Sequence, residues 1–121
     1  MEIQHYIDEA GRIAKEHGWD TQEVAFPETI ALVHSELSEA LEEWRNGHPQ
    51  DHVYFPEMTL PRETSEQGKP YKPEGAPIEM ADAIIRIFHW ASKQGINLEA
   101  AIDDKLKYNE SRPYRHGGKK A

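Results

Sequence analysis

The stretch IALVHSELSEALEEWR at residues 30–45 predicts the fold because it carries two patterns on one helix. Its apolar residues recur at the three- and four-residue spacing of one buried helical face. They are Ile30, Val33, Leu37, Ala40, Leu41 and Trp44. Glu36, Glu39 and Glu43 form an acidic stripe beside that face, since residues three or four apart lie on one side of a helix. We therefore expect a core helix with carboxylates along the edge of the core.

A second stretch, IEMADAIIRIFHWA at residues 78–91, repeats this arrangement on a more apolar background. Its polar strip consists of Glu79, Asp82, Arg86 and His89, and apolar residues occupy most of the remaining circumference. Such a helix expects burial on several sides, beyond what three short partner helices of one subunit can cover. We therefore expect a homo-oligomer, either a dimer or a tetramer.

Each of the two stretches carries two acids three residues apart, Glu36 with Glu39 and Glu79 with Asp82. Like charges one turn apart are unfavourable, and more so when they are partly removed from water. Two such pairs beside a core therefore favour a bound cation over the alternative, an acidic rim that is simply solvated. Ligands that offer only oxygen favour Mg²⁺, or Mn²⁺, over zinc.

The composition limits the class of protein. A chain of 121 residues forms a single domain, and its net charge of −8 argues against a general nucleic-acid binder or a membrane-surface protein. There is no cysteine, so disulfides and thiolate metal sites are excluded. The polar amino terminus shows no signal peptide, and no apolar run approaches the roughly 20 residues of a membrane span. We expect a cytoplasmic protein without a membrane partner.

Helical periodicity and end signals predict four helices, at residues 3–15, 27–45, 77–93 and 98–109. Pro27 and Pro77 suit the first turns of the second and third helices, and Asn97 suits the N-cap of the fourth. Asn46-Gly47 and Gly95 suit the left-handed turns that end helices. Four amphipathic helices with almost no strand signal predict an all-α bundle.

Two segments fall outside the helices. Six of the eight prolines lie between Pro49 and Pro77, so residues 48–76 predict a long loop. Its large side chains favour a partly ordered flap, with a short hairpin possible, over a surface excursion that packs on a neighbouring subunit. Residues 112–121, RPYRHGGKKA, form a basic tail that either binds phosphate or stays solvated.

Four motifs together resemble the MazG-like all-α nucleoside triphosphate pyrophosphohydrolases. They are ELSE at residues 36–39, EMAD at 79–82, KLKYN at 105–109 and the tail RPYRHGGKK. The resemblance covers about residues 30–45 and 72–120. It implies a dimeric or tetrameric helical bundle that hydrolyses a nucleoside triphosphate to the monophosphate and pyrophosphate with Mg²⁺. The 39 residues between Glu39 and Glu79, 40 to 78, exceed the family's usual spacing.

The resemblance also implies roles for the acids. Glu36, Glu39, Glu79 and Asp82 would hold Mg²⁺, and Glu39 would take a proton from the water that attacks the α-phosphorus. Arg86 is expected to pair with a ligand carboxylate and orient it. Glu43 is expected to be a solvated residue near the helix end.

Substrate contacts are implied by the same resemblance. Lys105, with Arg112 or Arg115, would hold phosphate oxygens, and Asn109 would contact the nucleoside. Trp44 could stack on a base, as could His34 or a loop aromatic, although a tryptophan at this helix position is more often a core residue. Two alternatives stay open: a different pyrophosphate-linked substrate such as phosphoribosyl-ATP, and a non-catalytic helical binding module whose acids are structural.

Overall fold

The computed structural model describes residues 2–57 and 68–114, and these residues form four α-helices. The helices are α1 (Ile3–Glu16), α2 (Phe26–Arg45), α3 (Ala76–Gln94) and α4 (Leu98–Ser111). Among the described residues there is no strand, and Tyr54 pairs with Glu74 in an isolated antiparallel bridge. The prediction of an all-α chain with four helices is confirmed, with helix ends within one or two residues of those expected.

The predicted helix signals operate as expected. The Asn97 side chain accepts a hydrogen bond from the Ala100 amide at 3.0 Å, which satisfies one of the unpaired amides of the first turn of α4. Pro27 occupies the first turn of α2. Gly95, just after α3, has a φ of 65°, a conformation that glycine adopts without strain.

The chain divides into two compact units, and the boundary between them lies within α3. One unit contains the described residues up to Asp20 and those from Phe88 onward, and the other contains Thr21–Ile87. None of the described helices combines the length and the apolarity needed to cross a membrane.

In the unit that contains α1 and α4, α1 packs closely on the last turns of α3. A Cβ added to Gly11 would lie 2.1 Å from Ser92 Oγ, so the absence of a side chain at this position permits the approach. Its buried apolar residues are Ile7, Ala14 and Ala91. Lys93 Nζ also donates to the carbonyl oxygen of Asp20 at 2.9 Å.

In the unit Thr21–Ile87, α2 and the first turns of α3 run antiparallel. Glu36 of α2 is hydrogen-bonded to Arg86, whereas Glu39, one turn later, lies beside Glu79, one to two turns earlier on α3. The buried apolar residues of this unit are Ala40, Tyr71, Ala76 and Ala83. The side of α2 that faces α3 is therefore built from small residues and carboxylates.

The prediction of a buried apolar stripe on α2 is wrong for the chain by itself. Leu37, Leu41 and Trp44 are 41%, 47% and 62% exposed, and Ala40 is the one apolar residue of α2 that is buried. The reason is that this unit offers α2 a single helical neighbour, and α3 packs against the side that carries Glu36 and Ala40. The large apolar side chains consequently remain on the surface.

The loop between α2 and α3 is described at both of its ends. Tyr71 is buried, and Tyr54 pairs with Glu74 through two backbone hydrogen bonds of 3.0 and 2.8 Å. The predicted ordering of the loop is thus observed at its base, where an isolated bridge joins its two ends. Residues 58–67 of the predicted flap and residues 115–121 of the predicted tail lie outside the described residues.

Candidate metal and substrate site

Three carboxylates converge between α2 and α3. One carboxylate oxygen from each of Glu36, Glu39 and Glu79 lies within 4.8 Å of the other two, and we call these three residues the acidic cluster. The antiparallel packing explains the convergence, since the two acids of α2 are one turn apart and face the first turn of α3. Glu36 is buried, Glu79 is half-buried and Glu39 is exposed, so the cluster opens to solvent at Glu39.

Arg86 anchors the buried member of the cluster. Its Nε donates to Glu36 Oε1 at 2.9 Å, and Glu36 is only 7% exposed. Burial by itself raises the pKa of Glu36, but the hydrogen bond from Arg86 outweighs it, together with those from Glu39 and Glu79, and lowers the pKa below its ordinary value. Arg86 was expected to orient a ligand carboxylate, and the carboxylate it contacts belongs to the facing helix.

Glu79 behaves in the opposite way. Burial, hydrogen bonding with Glu39 and Glu36, and the negative charges of Glu39 and Asp82 raise the pKa of Glu79 to about 7. Near neutral pH and without a cation, Glu79 is therefore partly protonated and can donate a hydrogen bond to its neighbours. The raised pKa reflects burial and the crowding of the carboxylates.

Asp82 does not join the cluster of three. It lies one turn after Glu79 on α3, where burial and then the charge of Glu36 raise its pKa, while Arg86 and Lys72 partly offset that effect. Of the four predicted metal ligands, the structure thus brings together three and leaves the fourth beside them, on the same acidic side of the helix pair.

Glu43 is not the solvated residue that the sequence suggested. The Tyr54 hydroxyl donates to its carboxylate at 2.9 Å from each oxygen, and His48 Nε2 lies 3.7 Å from Glu43 Oε2. Glu43 is covered because the chain turns back after Gly47, so that Tyr54 contacts the last turns of α2. Neither Tyr54 nor its contact with Glu43 was predicted, since no helical spacing connects positions 43 and 54.

An apolar groove lies on the same two helices. It has a volume of about 470 Å³, and its lining consists of Leu37, Ala40, Leu41, Trp44, Gln50, Ala76 and Met80. Trp44 is largely exposed, so it is available for contact and is not the core residue that its helix position more often indicates. The groove and the acidic cluster share the same pair of helices.

The predicted phosphate-binding residues lie in the other unit, on α4 and just after it. Lys105 Nζ is 5.0 Å from the centre of the Tyr108 ring, and the Arg112 guanidinium is 5.8 Å from the same centre. Asn109 is exposed, one helical turn beyond Lys105. Arg115 lies outside the described residues. His34, the alternative stacking residue, is exposed on α2.

The donor set of the acidic cluster fits a hard divalent cation. All of its donors are carboxylate oxygens, which Mg²⁺ and Mn²⁺ prefer, and a cation would replace the proton that Glu79 holds. Comparison of the chain with protein-family models, curated proteins and solved structures found no match.

Proposed function

We propose that this protein is a Mg²⁺-dependent nucleoside triphosphate pyrophosphohydrolase that releases a nucleoside monophosphate and pyrophosphate. The observation that carries the proposal is the acidic cluster, in which Glu36, Glu39 and Glu79 from two antiparallel helices lie within 4.8 Å of one another. The ELSE, EMAD and KLKYN motifs support the same assignment through their resemblance to the MazG-like enzymes. Such an activity would serve to clear unwanted nucleotides from the cytoplasmic pool.

Glu36, Glu39 and Glu79 would hold the cation, with Asp82 beside them as a further ligand or as a partner of one. When bound, Mg²⁺ or Mn²⁺ supplies positive charge that neutralises a triphosphate and makes a water molecule more acidic. Arg86 keeps Glu36 ionised and fixes its orientation through the 2.9 Å hydrogen bond. The ordered, ionised carboxylate of Glu36 is the anchor to which the other two ligands are added.

Glu39 is the residue that we assign as the general base. It is the exposed member of the acidic cluster, so a water molecule can reach its free oxygen. Its carboxylate would take a proton from that water as the water attacks the α-phosphorus, and pyrophosphate would leave.

The apolar groove provides a place for the nucleobase on the same two helices as the acidic cluster. Trp44 exposes a flat aromatic surface there, with Leu41 and Met80 in the same lining. Stacking on an aromatic ring is tolerant of base identity and would place the base without selecting it strongly. The assignment of Lys105, Arg112 and Arg115 to the phosphates, and of Asn109 to the nucleoside, rests on the resemblance.

We also propose that the protein is a homo-oligomer. The large apolar residues of α2 and α3 form an exposed surface that we call the apolar face: Leu37, Leu41, Trp44, Met80 and Ile84. Monomeric proteins rarely leave such a contiguous apolar surface in water, and a second copy of the same helix pair would cover part of it. The apolar residues that α3 carries around most of its circumference in the sequence contribute Met80 and Ile84 to this face.

The reaction can be tested by incubating the protein with a panel of NTPs and dNTPs, with Mg²⁺ or with EDTA, and separating the products by chromatography. Monophosphate and pyrophosphate formed only with Mg²⁺ would establish the proposed reaction. Diphosphate and phosphate would show that another bond is cleaved. Turnover of phosphoribosyl-ATP alone would keep the site and change the substrate. The absence of turnover would favour a binding module.

A further inference from the structure

Tyr54 makes a side-chain contact outside the acidic cluster that joins the loop to α2. Its hydroxyl lies 2.9 Å from both carboxylate oxygens of Glu43. Removal from water, and then the hydrogen bond to Glu43, raise the pKa of Tyr54 to about 12, so the hydroxyl stays a donor at any physiological pH. The His48 ring stacks on Tyr54 with centroids 4.7 Å apart and covers the contact. The side chain thus fastens the start of the loop to α2.

The backbone of Tyr54 holds the end of the same loop. Its amide donates to the Glu74 carbonyl and its carbonyl accepts from the Glu74 amide, at 3.0 and 2.8 Å. The next residue, Gly75, has a φ of 123°, and a Cβ there would lie 2.1 Å from the His52 carbonyl oxygen. The residue before α3 is therefore packed directly against the backbone of His52 and Val53, which precede Tyr54.

Gly75 connects the bridge between Tyr54 and Glu74 to the first turn of α3, which carries Glu79. Its carbonyl oxygen accepts the amides of Ile78 and Glu79 at 3.0 and 3.1 Å, which are the first hydrogen bonds of α3. Glu43, on the other side, lies one turn after Glu39 on α2. Hydrogen bonds thus join Glu43 to Tyr54 and Tyr54 to Glu74, and the next residue along the chain, Gly75, accepts the amide of Glu79.

We propose that Tyr54 is a positioning residue that holds Glu79 beside Glu36 and Glu39. Three crowded carboxylates repel one another without a cation, and two connections between α2 and α3 oppose their separation. One is the Arg86 to Glu36 hydrogen bond, and the other is the loop clip, which we define as the Tyr54 contacts with Glu43 and Glu74. A site that is held together before the ion arrives binds it more tightly, because less ordering remains to be done.

The effect of the loop clip on metal binding rests on the proposed function, whereas its effect on α3 does not. Two measurements separate them. Hydrogen exchange in EDTA of the wild type and of Tyr54→Phe reports on the first turn of α3, and Mn²⁺ titration followed by electron paramagnetic resonance reports on the site. Tyr114→Phe is the matched control, because it removes the same hydroxyl from an exposed tyrosine in the other unit.

We expect Tyr54→Phe to exchange faster than the wild type at residues 76–82 and to bind Mn²⁺ about 3- to 10-fold more weakly, less than the loss typical of direct outer-shell partners. Tyr114→Phe should match the wild type in both measurements. In a Glu43→Ala background, Tyr54→Phe should have a smaller effect than in the wild type, because the Glu43 carboxylate is already gone and the interaction of the hydroxyl with the Glu74 side chain remains. If Tyr54→Phe folds poorly, Glu43→Ala alone removes the same hydrogen bond and is measured in its place.

Unchanged exchange at residues 76–82 would overturn the proposal, whatever the metal result. Faster exchange with unchanged Mn²⁺ affinity would overturn the positioning of Glu79. If the wild type bound no Mn²⁺ at all, the proposed function would fail, and the exchange data would still decide whether the loop clip holds the start of α3. An equal effect of Tyr54→Phe in the wild-type and Glu43→Ala backgrounds would also contradict the proposal.

Discussion

The helix pair α2 and α3 presents two sides that are completed in different ways. On the acidic side, contacts within the chain engage the carboxylates: Arg86 binds Glu36, and Tyr54 binds Glu43. On the apolar face, Leu41, Trp44 and Ile84 remain 47%, 62% and 49% exposed. The carboxylates of the acidic side thus have partners within the chain, whereas the apolar face is largely uncovered.

The contrast follows from what each type of surface requires. A buried carboxylate without a partner costs free energy at once, so its partners must belong to the same chain if the monomer is to fold. An exposed apolar side chain costs less in the monomer and contributes free energy when a ligand or a second copy covers it. In the proposed function, the acidic side is therefore the site prepared for the ion, and the apolar face is the surface for contact.

Replacing Glu39, the proposed general base, should produce the largest effect on the rate of hydrolysis. Glu39→Gln should lower the rate of nucleotide hydrolysis by at least about 100-fold, because the amide cannot accept the proton and adds no charge for the ion. Circular dichroism should show unchanged helix content, since Glu39 is exposed. The matched control is Glu42→Gln, which replaces an exposed acid on the same helix whose ion pair among the described residues is with Arg45, at 3.8 Å. Wild-type rates in Glu39→Gln would refute the site assignment.

Charging the apolar face tests its role in assembly. Ile84→Glu should convert the proposed oligomer to a monomer in light scattering after gel filtration, because a glutamate buried in an apolar interface is left unpaired. Leu32→Glu makes the same change on α2 at a residue that does not belong to the apolar face, and it should leave the mass unchanged. A wild-type protein that is monomeric at every concentration would instead assign the whole face to the substrate.

The acidic cluster should make the ion-free protein less stable as pH rises. Glu79 has a pKa of about 7 in the folded protein against an ordinary 4.5, so between these values the folded state holds a proton that the unfolded chain has lost. Stability then falls as pH increases from about 5 to 8, by on the order of 2–3 kcal/mol. The raised pKa of Asp82 acts in the same direction.

Urea unfolding in EDTA across this pH range measures the effect. Glu79→Gln should flatten the profile, and Mg²⁺ should restore stability most strongly at the alkaline end, where the cluster is fully ionised. A wild-type profile that is flat, or that rises between pH 5 and 8, would contradict the crowding of the three carboxylates.

Breaking the Arg86 contact should have the smallest effect of the four. Arg86→Gln leaves the buried carboxylate of Glu36 with a weaker partner and should lower the free energy of unfolding by about 1–2 kcal/mol, since Arg86 itself is partly exposed. Arg45→Gln removes an arginine from an exposed pair and should cost less than about 0.5 kcal/mol. Equal losses in the two variants would show that the Arg86 contact has no special role.

Much of the fold could be predicted because its signals are local. Asn97, Gly95 and Pro27 act on the backbone within a few residues of themselves, so their effects follow from the sequence alone. The carboxylates of the acidic cluster could be found for the same reason, since the spacing of two acids on a helix is a local property. The groove lining could be predicted only in part, because the apolar pattern on α2 gives a face but not the partner that covers it.

The sequence by itself determined the four helices, their ends and the acids that each helix carries, because these depend on interactions over one or two turns. The tertiary structure decided which acids meet: Glu79 joins Glu36 and Glu39, and Asp82 stays beside them. It also decided that Arg86 binds Glu36 across 50 positions and that Tyr54 binds Glu43 across 11. Contacts of this kind depend on the register between α2 and α3, which no local pattern specifies. That register is set by the packing of small residues and by the loop clip.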